Sequence, residues 1–144
     1  MNDGISFEEY LDRYGTLVYT NVGVSMLPLM RQGKDLFIVR KKGTERCRKG
    51  DVVLFRRPPD KYVLHRIIDV REKEYILLGD NCLRKEYGIR DDDIIGVMTA
   101  FVRNGKEHSI SELPYRVYST IWVHMAPVRV FAKRTAAFLK RKIK

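Results

Sequence analysis

The sequence has few cysteines and no long apolar run. Its 144 residues include only Cys47 and Cys82, too few for a disulfide framework, so we expect both to be free thiols. Cys47 lies in a basic stretch that predicts an exposed turn. No run approaches the roughly 18 apolar residues that cross a bilayer, and the N-terminus lacks the basic and apolar regions of a secretory signal. These absences predict a protein that neither crosses a membrane nor is exported.

Histidine is also scarce, and its spacing matches none of the common metal motifs. His65, His108 and His124 lie far apart, and the sequence contains no Cys-x-x-Cys or His-Glu-x-x-His. We therefore expect no metal site. His108, in a polar segment after a turn, is expected at the surface, and His124 is expected to be a structural residue of a C-terminal helix.

Acidic residues are outnumbered by basic ones, which gives the chain a formal net charge of +10. Lysine and arginine concentrate at residues 40–57 and 133–144, and the second of these segments contains no Asp or Glu. Such asymmetry favours an anionic partner, which could be nucleic acid, an acidic lipid surface or an acidic peptide. The alternative is a solvated basic face without a partner.

Short runs of β-branched and aromatic residues predict a mainly β, antiparallel domain. The predicted strands are residues 16–20, 35–40, 51–55, 62–70, 74–78 and 94–102. Before them, the capping box from Ser6 to Glu9 predicts a short helix that Gly15 ends. Residues 57–60, residues 71–73 and the pair Asn104-Gly105 predict hairpin turns.

From Pro114 onward the apolar spacing becomes helical. The first apolar positions, about one turn apart, are Val117, Ile121, Met125 and Val128, and those that follow along a basic helix are Phe131, Ala132, Ala136, Leu139 and Ile143. Pro127 is expected to break this segment in two. We expect the terminal helix to pack on the sheet, and the alternative is that it lies on an anionic membrane surface. The chain then forms one domain, with an N-terminal helix in 1–15, a β-rich core in 16–113 and a helical tail in 114–144.

Three segments carry side chains suited to nucleophilic catalysis. Ser25 lies between a β run and a turn shaped by Pro28, where a serine can present its hydroxyl and leave its own N–H free for an oxyanion. His65 interrupts an apolar strand, whose alternation points it inward or toward a cleft. Asp80, in a Gly-Asp-Asn turn, or Glu86 could hold the far nitrogen of such a base. Taken singly, each of these residues also has an ordinary structural interpretation, as a serine in a turn, a histidine in the core or an acidic residue in a turn.

Taken in order, these motifs resemble the signal peptidase I family, in its Ser/His branch of the endoplasmic reticulum and archaea. The motifs are Gly-x-Ser-Met-x-Pro at 23–28, Lys-Gly-Asp-Val-Val at 49–53, His-Arg at 65–66, Gly-Asp-Asn at 79–81 and Ile-Ile-Gly-Val at 94–97. The resemblance covers residues 22–102. It implies an antiparallel β fold like that of signal peptidases and of the peptidase domain of self-cleaving repressors.

The resemblance also implies roles for individual residues. Ser25 falls on the nucleophile, and His65 replaces the lysine base of the bacterial branch. The family has an aspartate at the position of Asp80 and a second one, the usual charge-relay residue, where this sequence has Glu86. The identity of the orienting acid therefore stays open between the two, and no cofactor is needed.

Two further positions bear on the nucleophile turn. Gly23 stands where the family can have a hydroxyl in the oxyanion hole, so we expect main-chain N–H groups, chiefly that of Ser25, to serve alone. Met26 matches a position that shapes the turn, and we assign it no chemistry.

The implied function is a serine endopeptidase that cleaves a peptide or a leader- or signal-like precursor, bound as an added β-strand. Because neither an anchor nor an export signal is found, we expect a cytoplasmic location, or peripheral attachment at the inner membrane face. One alternative is a self-cleaving repressor-type peptidase, but only about 20 residues precede Ser25, too few for a DNA-binding module. The other is a catalytically idle basic module that binds nucleic acid or lipid. The presence of both Ser25 and His65 opposes it, and we do not expect nucleic acid as a partner.

Overall fold

An antiparallel sheet of eight strands forms the body of the structure, a computed structural model that describes residues 5–59 and 61–143. The strands are β1 (Thr16–Thr20), β2 (Leu36–Lys41), β3 (Val52–Arg57), β4 (Lys61–Val70), β5 (Tyr75–Leu78), β6 (Glu86–Ile89), β7 (Ile94–Arg103) and β8 (Lys106–Ser109). Their order is β1-β2-β7-β3-β4-β5-β6, with β8 also paired to β7, and every pairing is antiparallel. The predicted mainly β, antiparallel class is confirmed.

All six predicted strands are present within two residues of their expected ends, and two further strands were not predicted. β6 and β8 are four residues long and largely exposed or half-buried, so neither carries the apolar alternation that reveals a strand. The Asn104-Gly105 turn is confirmed, since both residues have positive φ, of 55° and 74°. Some of the predictions concern residues that the structure does not describe. These are residues 1–4, Asp60 of the first hairpin turn, the side chain of Ile143, and Lys144.

The N-terminal helix α1 (Phe7–Tyr14) has the predicted caps. The Ser6 hydroxyl accepts a hydrogen bond from the N–H of Glu9 at 3.1 Å, and Gly15 ends the helix with a φ of 78°. Leu11 is buried on the inner side of the helix and joins the main core. The helix thus covers one side of the sheet, next to the start of β1.

The sheet has a core on each face, and β3 contributes to both. Val52 and Leu54 belong to the first cluster, whereas Val53 and Phe55 belong to the second. Cys47 also lies in the second cluster and is only 6% exposed, so the predicted exposed turn is wrong for this side chain. Its main-chain N–H donates to the Tyr75 hydroxyl at 3.0 Å, which draws the segment inward. Burial raises the pKa of the Cys47 thiol to about 11, and both cysteines are free, as predicted.

Two helices follow the sheet, α2 (Leu113–His124) and α3 (Ala126–Ile143), and the predicted break lies at Met125. Pro127 falls in the first turn of α3, where a missing N–H costs no helical hydrogen bond. The helices are anchored to the body by buried side chains of Tyr115, Val123, Ala126 and Val130. The start of α3 packs on the body through Ala126 and Val130, as expected of the terminal helix. The larger apolar side chains of the predicted face are exposed, among them Val117, Ile121, Met125, Val128, Phe131 and Leu139. No helix in the described part of the chain is long and apolar enough to cross a membrane.

Candidate active site

The segment that carries Ser25 connects β1 to β2 and is fixed to the main core. Met26 and Met30 are 1% and 0% exposed, so they anchor the segment on either side of its turn. The buried Asn21 donates its side-chain amide to the Met30 carbonyl at 3.4 Å. Met26 therefore packs this turn onto the main core. Ser25 itself is half-buried and lines a cavity of about 700 Å³.

The Gly-Asp-Asn turn after β5 holds the Ser25 segment in place. The main-chain N–H of Asn81 donates to the Ser25 carbonyl at 2.8 Å, and the Asn81 side chain donates to the Val24 carbonyl at 3.1 Å. Gly79 lies where the two segments and the base converge. A Cβ at Gly79 would lie 2.8 Å from the Ser25 carbonyl oxygen and 3.0 Å from His65 Nε2. Only glycine fits this position without moving the site.

His65 projects from β4 into the same cavity as Ser25, with 6% of its side chain exposed. Its Nε2 lies 3.9 Å from Cys82 Sγ. Among the described residues no hydrogen bond joins the Ser25 hydroxyl to His65, although both are brought to one cavity. Such contacts are often loose in unliganded enzymes and tighten with substrate.

Of the two candidate acids, the structure places Glu86 beside His65. Glu86 Oε2 lies 2.8 Å from His65 Nδ1, but the N–H is not aligned with the oxygen, so this is an ion-pair contact rather than a directed hydrogen bond. Arg57 holds the other oxygen, since its Nε donates to Oε1 at 2.8 Å. The sequence did not predict that Arg57 would bind Glu86, because its position next to a turn does not indicate which acid it contacts.

Asp80 is held on another partner, the buried Arg66. The Arg66 guanidinium donates to the two Asp80 oxygens at 2.8 and 2.9 Å, and the Tyr118 hydroxyl donates to Oδ2 at 2.7 Å. Both charged side chains are fully buried. No hydrogen bond or ion pair joins Asp80 to His65 in the part of the chain that the structure describes. Asp80 therefore fixes the turn to α2.

The charges around His65 favour its protonated form. Burial lowers its pKa, but the contacts with Cys82 and with Glu86 outweigh burial, so the pKa of His65 is raised from its ordinary value. Burial raises the pKa of Glu86, but His65 and Arg57 outweigh it and lower that pKa to about 2. Glu86 is therefore ionised at neutral pH and stabilises an imidazolium.

Two features leave room for an oxyanion near Ser25. None of the hydrogen bonds among the described residues uses the main-chain N–H of Ser25. Gly23, with a φ of 79°, lines the cavity, and nothing lies within 4 Å of where its Cβ would be. The arrangement thus offers a serine and an imidazole that line one cavity, a carboxylate beside the imidazole, and a Ser25 main-chain N–H with no hydrogen-bond acceptor among the described residues. It has the parts needed for acyl transfer.

The remaining histidines lie away from this cavity. His108 is half-buried and contacts Glu112 at 3.1 Å, and His124 is exposed on α2. Within the described residues, no group of three or more His, Cys, Asp and Glu side chains could hold a metal ion. A scan against models of known protein families found no match to this chain, and a search of curated proteins found no significant relative.

Proposed function

We propose that the chain is a serine endopeptidase with Ser25 as nucleophile, His65 as general base and Glu86 as the orienting acid. The observation that carries the proposal is the convergence of Ser25 and His65 on one cavity, with Glu86 2.8 Å from the far ring nitrogen. The three residues come from a loop and two strands that are distant in sequence. The antiparallel sheet and the order of the motifs support a signal-peptidase-like fold.

In the proposed reaction, Ser25 Oγ attacks a peptide carbonyl and gives its proton to His65 Nε2. The Ser25 N–H stabilises the oxyanion, and Glu86 stabilises the imidazolium at Nδ1. Nε2 then donates the proton to the departing amine, and water hydrolyses the acyl-enzyme by the same route. Since no hydrogen bond joins Ser25 to His65 in the free protein, the serine side chain must turn toward Nε2 when substrate binds.

The sheet offers the substrate a place beside the base. β5 pairs with β4 only over residues 66–70, so residues 63–65 have no second strand partner among the described residues. Backbone N–H and C=O groups there can pair with an extended peptide. Phe7, Tyr19 and Phe37 line the cavity, which suits an apolar side chain of a precursor peptide.

The proposal is tested with a serine-reactive phosphonate and a peptide library. Ser25→Ala and His65→Ala are expected to abolish both labelling and cleavage. Ser111→Ala and His124→Ala, at exposed positions, are matched controls and should behave as wild type. Unchanged labelling and cleavage in Ser25→Ala and His65→Ala would show that the chain is no serine peptidase, and an inert protein would favour the idle binding module.

A second candidate is a cysteine nucleophile, because Cys82 Sγ is the group that lies 3.9 Å from His65 Nε2. A thiol beside a histidine that has a bound acid can act as a nucleophile. The same assay distinguishes the two, with Cys82→Ala as the added variant. A serine peptidase keeps its activity in Cys82→Ala and loses it in Ser25→Ala, whereas a cysteine peptidase shows the reverse.

A further inference from the structure

The two C-terminal helices carry an apolar stripe that faces away from the sheet. We call it the outward stripe, and its members are Val117, Ile121, Met125, Val128, Phe131 and Phe138. Successive members are three, four or seven residues apart in the sequence. This spacing corresponds to one or two helical turns, so the members lie on one side of α2 and α3. Each is between 44% and 72% exposed.

The opposite side of the helices is already occupied by the body of the protein. The Trp122 indole donates to the Asp80 carbonyl at 2.9 Å, and Arg129 donates to the same oxygen at 3.0 Å. Ala126 and Val130 are buried against Leu78. The helices therefore cannot turn the outward stripe inward without breaking these contacts. Exposed large apolar side chains gathered on one side of neighbouring helices mark an interaction surface.

Charge identifies the partner. Residues 113–143 contain no Asp or Glu, and the exposed end of α3 carries Arg134, Lys140, Arg141 and Lys142. The same helices of a second copy contain no Asp or Glu between residues 113 and 143, so they would offer these basic side chains no counter-charge. Nucleic acid would neutralise the basic side chains but leave the apolar stripe in water. An anionic lipid surface satisfies both, because its headgroups meet Lys and Arg while its acyl boundary takes up apolar side chains.

We propose that α2 and α3 lie in the plane of an anionic membrane, with the outward stripe at the boundary between headgroups and acyl chains. The helices are joined to the turn that supports the candidate nucleophile, since Lys133 Nζ donates to Asn81, which in turn donates to Ser25 and Val24. Membrane binding holds that turn one helix diameter, ~10 Å, from the lipid surface. If the proposed peptidase function holds, the substrates it meets there are membrane-associated peptides.

Vesicle flotation of the full chain tests this surface without any substrate. Wild type is expected to float with vesicles containing about 30% phosphatidylserine and to stay behind with pure phosphatidylcholine, and about 500 mM NaCl should weaken the binding. Ser25→Ala should float like wild type, so failure of the peptidase proposal does not affect the result. Equal binding to both vesicle types, or to neither, would overturn the proposal.

Two variants separate the apolar and basic contributions. Phe131→Ser/Phe138→Ser and Lys140→Glu/Arg141→Glu/Lys142→Glu are each expected to reduce binding at least about 10-fold, with unchanged far-UV circular dichroism. The matched control, Arg71→Glu/Lys73→Glu/Lys106→Glu, changes net charge equally on exposed residues outside the helices and should keep most of the binding. An equal loss in the control would overturn the proposal. The proposal would also be overturned if wild type bound no lipid and instead formed a dimer that Phe131→Ser/Phe138→Ser dissociates.

Discussion

At the scale of single residues, Cys82 and Glu86 both raise the pKa of His65, and removal of the Glu86 carboxylate has a pH signature. In Glu86→Gln the imidazolium loses the carboxylate 2.8 Å away, so the raised pKa of His65 falls. Because the proposed base is the neutral imidazole, the acidic limb of the kcat/KM profile should move to lower pH. The plateau drops about 10²- to 10⁴-fold, because the transition-state imidazolium is no longer stabilised. A pH–rate profile and an NMR titration of His65 measure both changes.

Asp80→Asn is the comparison for that experiment, assayed at a temperature where the variant is folded, since Asp80 contacts Arg66 and Tyr118. It should leave the acidic limb where it is in wild type. A limb that moves in Asp80→Asn and stays in place in Glu86→Gln would mean that Asp80, rather than Glu86, acts on the base.

The buried ion pair of Arg66 and Asp80 dominates a different property, the stability of the fold. Asp80→Asn leaves the fully buried Arg66 charge without its counter-charge, which is expected to lower the free energy of unfolding by about 3–5 kcal/mol. Asp12→Asn breaks the exposed pair with Lys41 and should cost less than about 1 kcal/mol. Urea unfolding of the two variants measures the difference, and equal losses would contradict this role of the pair.

At the scale of elements, the turn after β5 joins the candidate nucleophile to its base through a close approach at Gly79. In Gly79→Ala the new Cβ would meet the Ser25 carbonyl at 2.8 Å, and that main-chain atom cannot move without shifting the segment. We expect at least a 100-fold loss of kcat/KM, on the order of what a misplacement of about 1 Å costs.

Gly43→Ala is the matched control for this turn, because nothing lies within 4 Å of the new Cβ and its φ is not positive. It should keep wild-type activity. Full activity in Gly79→Ala would show that the turn does not hold the site together.

Local sequence signals predicted some strands and site residues of this protein but not others. β4 and the Ser25 segment were predictable because apolar alternation and a Gly/Pro turn are local signals. β6 was not, and Glu86 reaches His65 through pairing with β5 whose register shifts at irregular positions that no local pattern reveals. The sequence could not separate Asp80 from Glu86, because only the structure shows that Asp80 binds Arg66. Arg66 follows His65 in the strand and points to the opposite face, so its acid is directed away from His65.

The helical tail shows the same limit. Helical spacing identified the apolar positions of α2 and α3, but not the side that would be buried. That choice depends on polar groups of the body, since Trp122 and Arg129 bond to the Asp80 carbonyl. The amphipathic pattern predicts that the helices have an apolar side, but it does not predict what that side contacts.

At the scale of the whole molecule, the net charge of +10 should govern which peptides reach the cavity fastest. Arg57 and Lys61 line that cavity, and Arg57 is paired with Glu86. Among the described residues no carboxylate pairs with Lys61, so we expect its charge to act on an incoming peptide. A peptide with Asp or Glu away from the scissile bond should therefore show a higher kcat/KM than its Asn or Gln counterpart at about 50 mM NaCl. The advantage should shrink several-fold at about 500 mM, and Lys61→Gln should reduce it while the neutral peptide is cleaved as before. An advantage that does not change with salt would instead indicate a short-range contact with the acidic side chain.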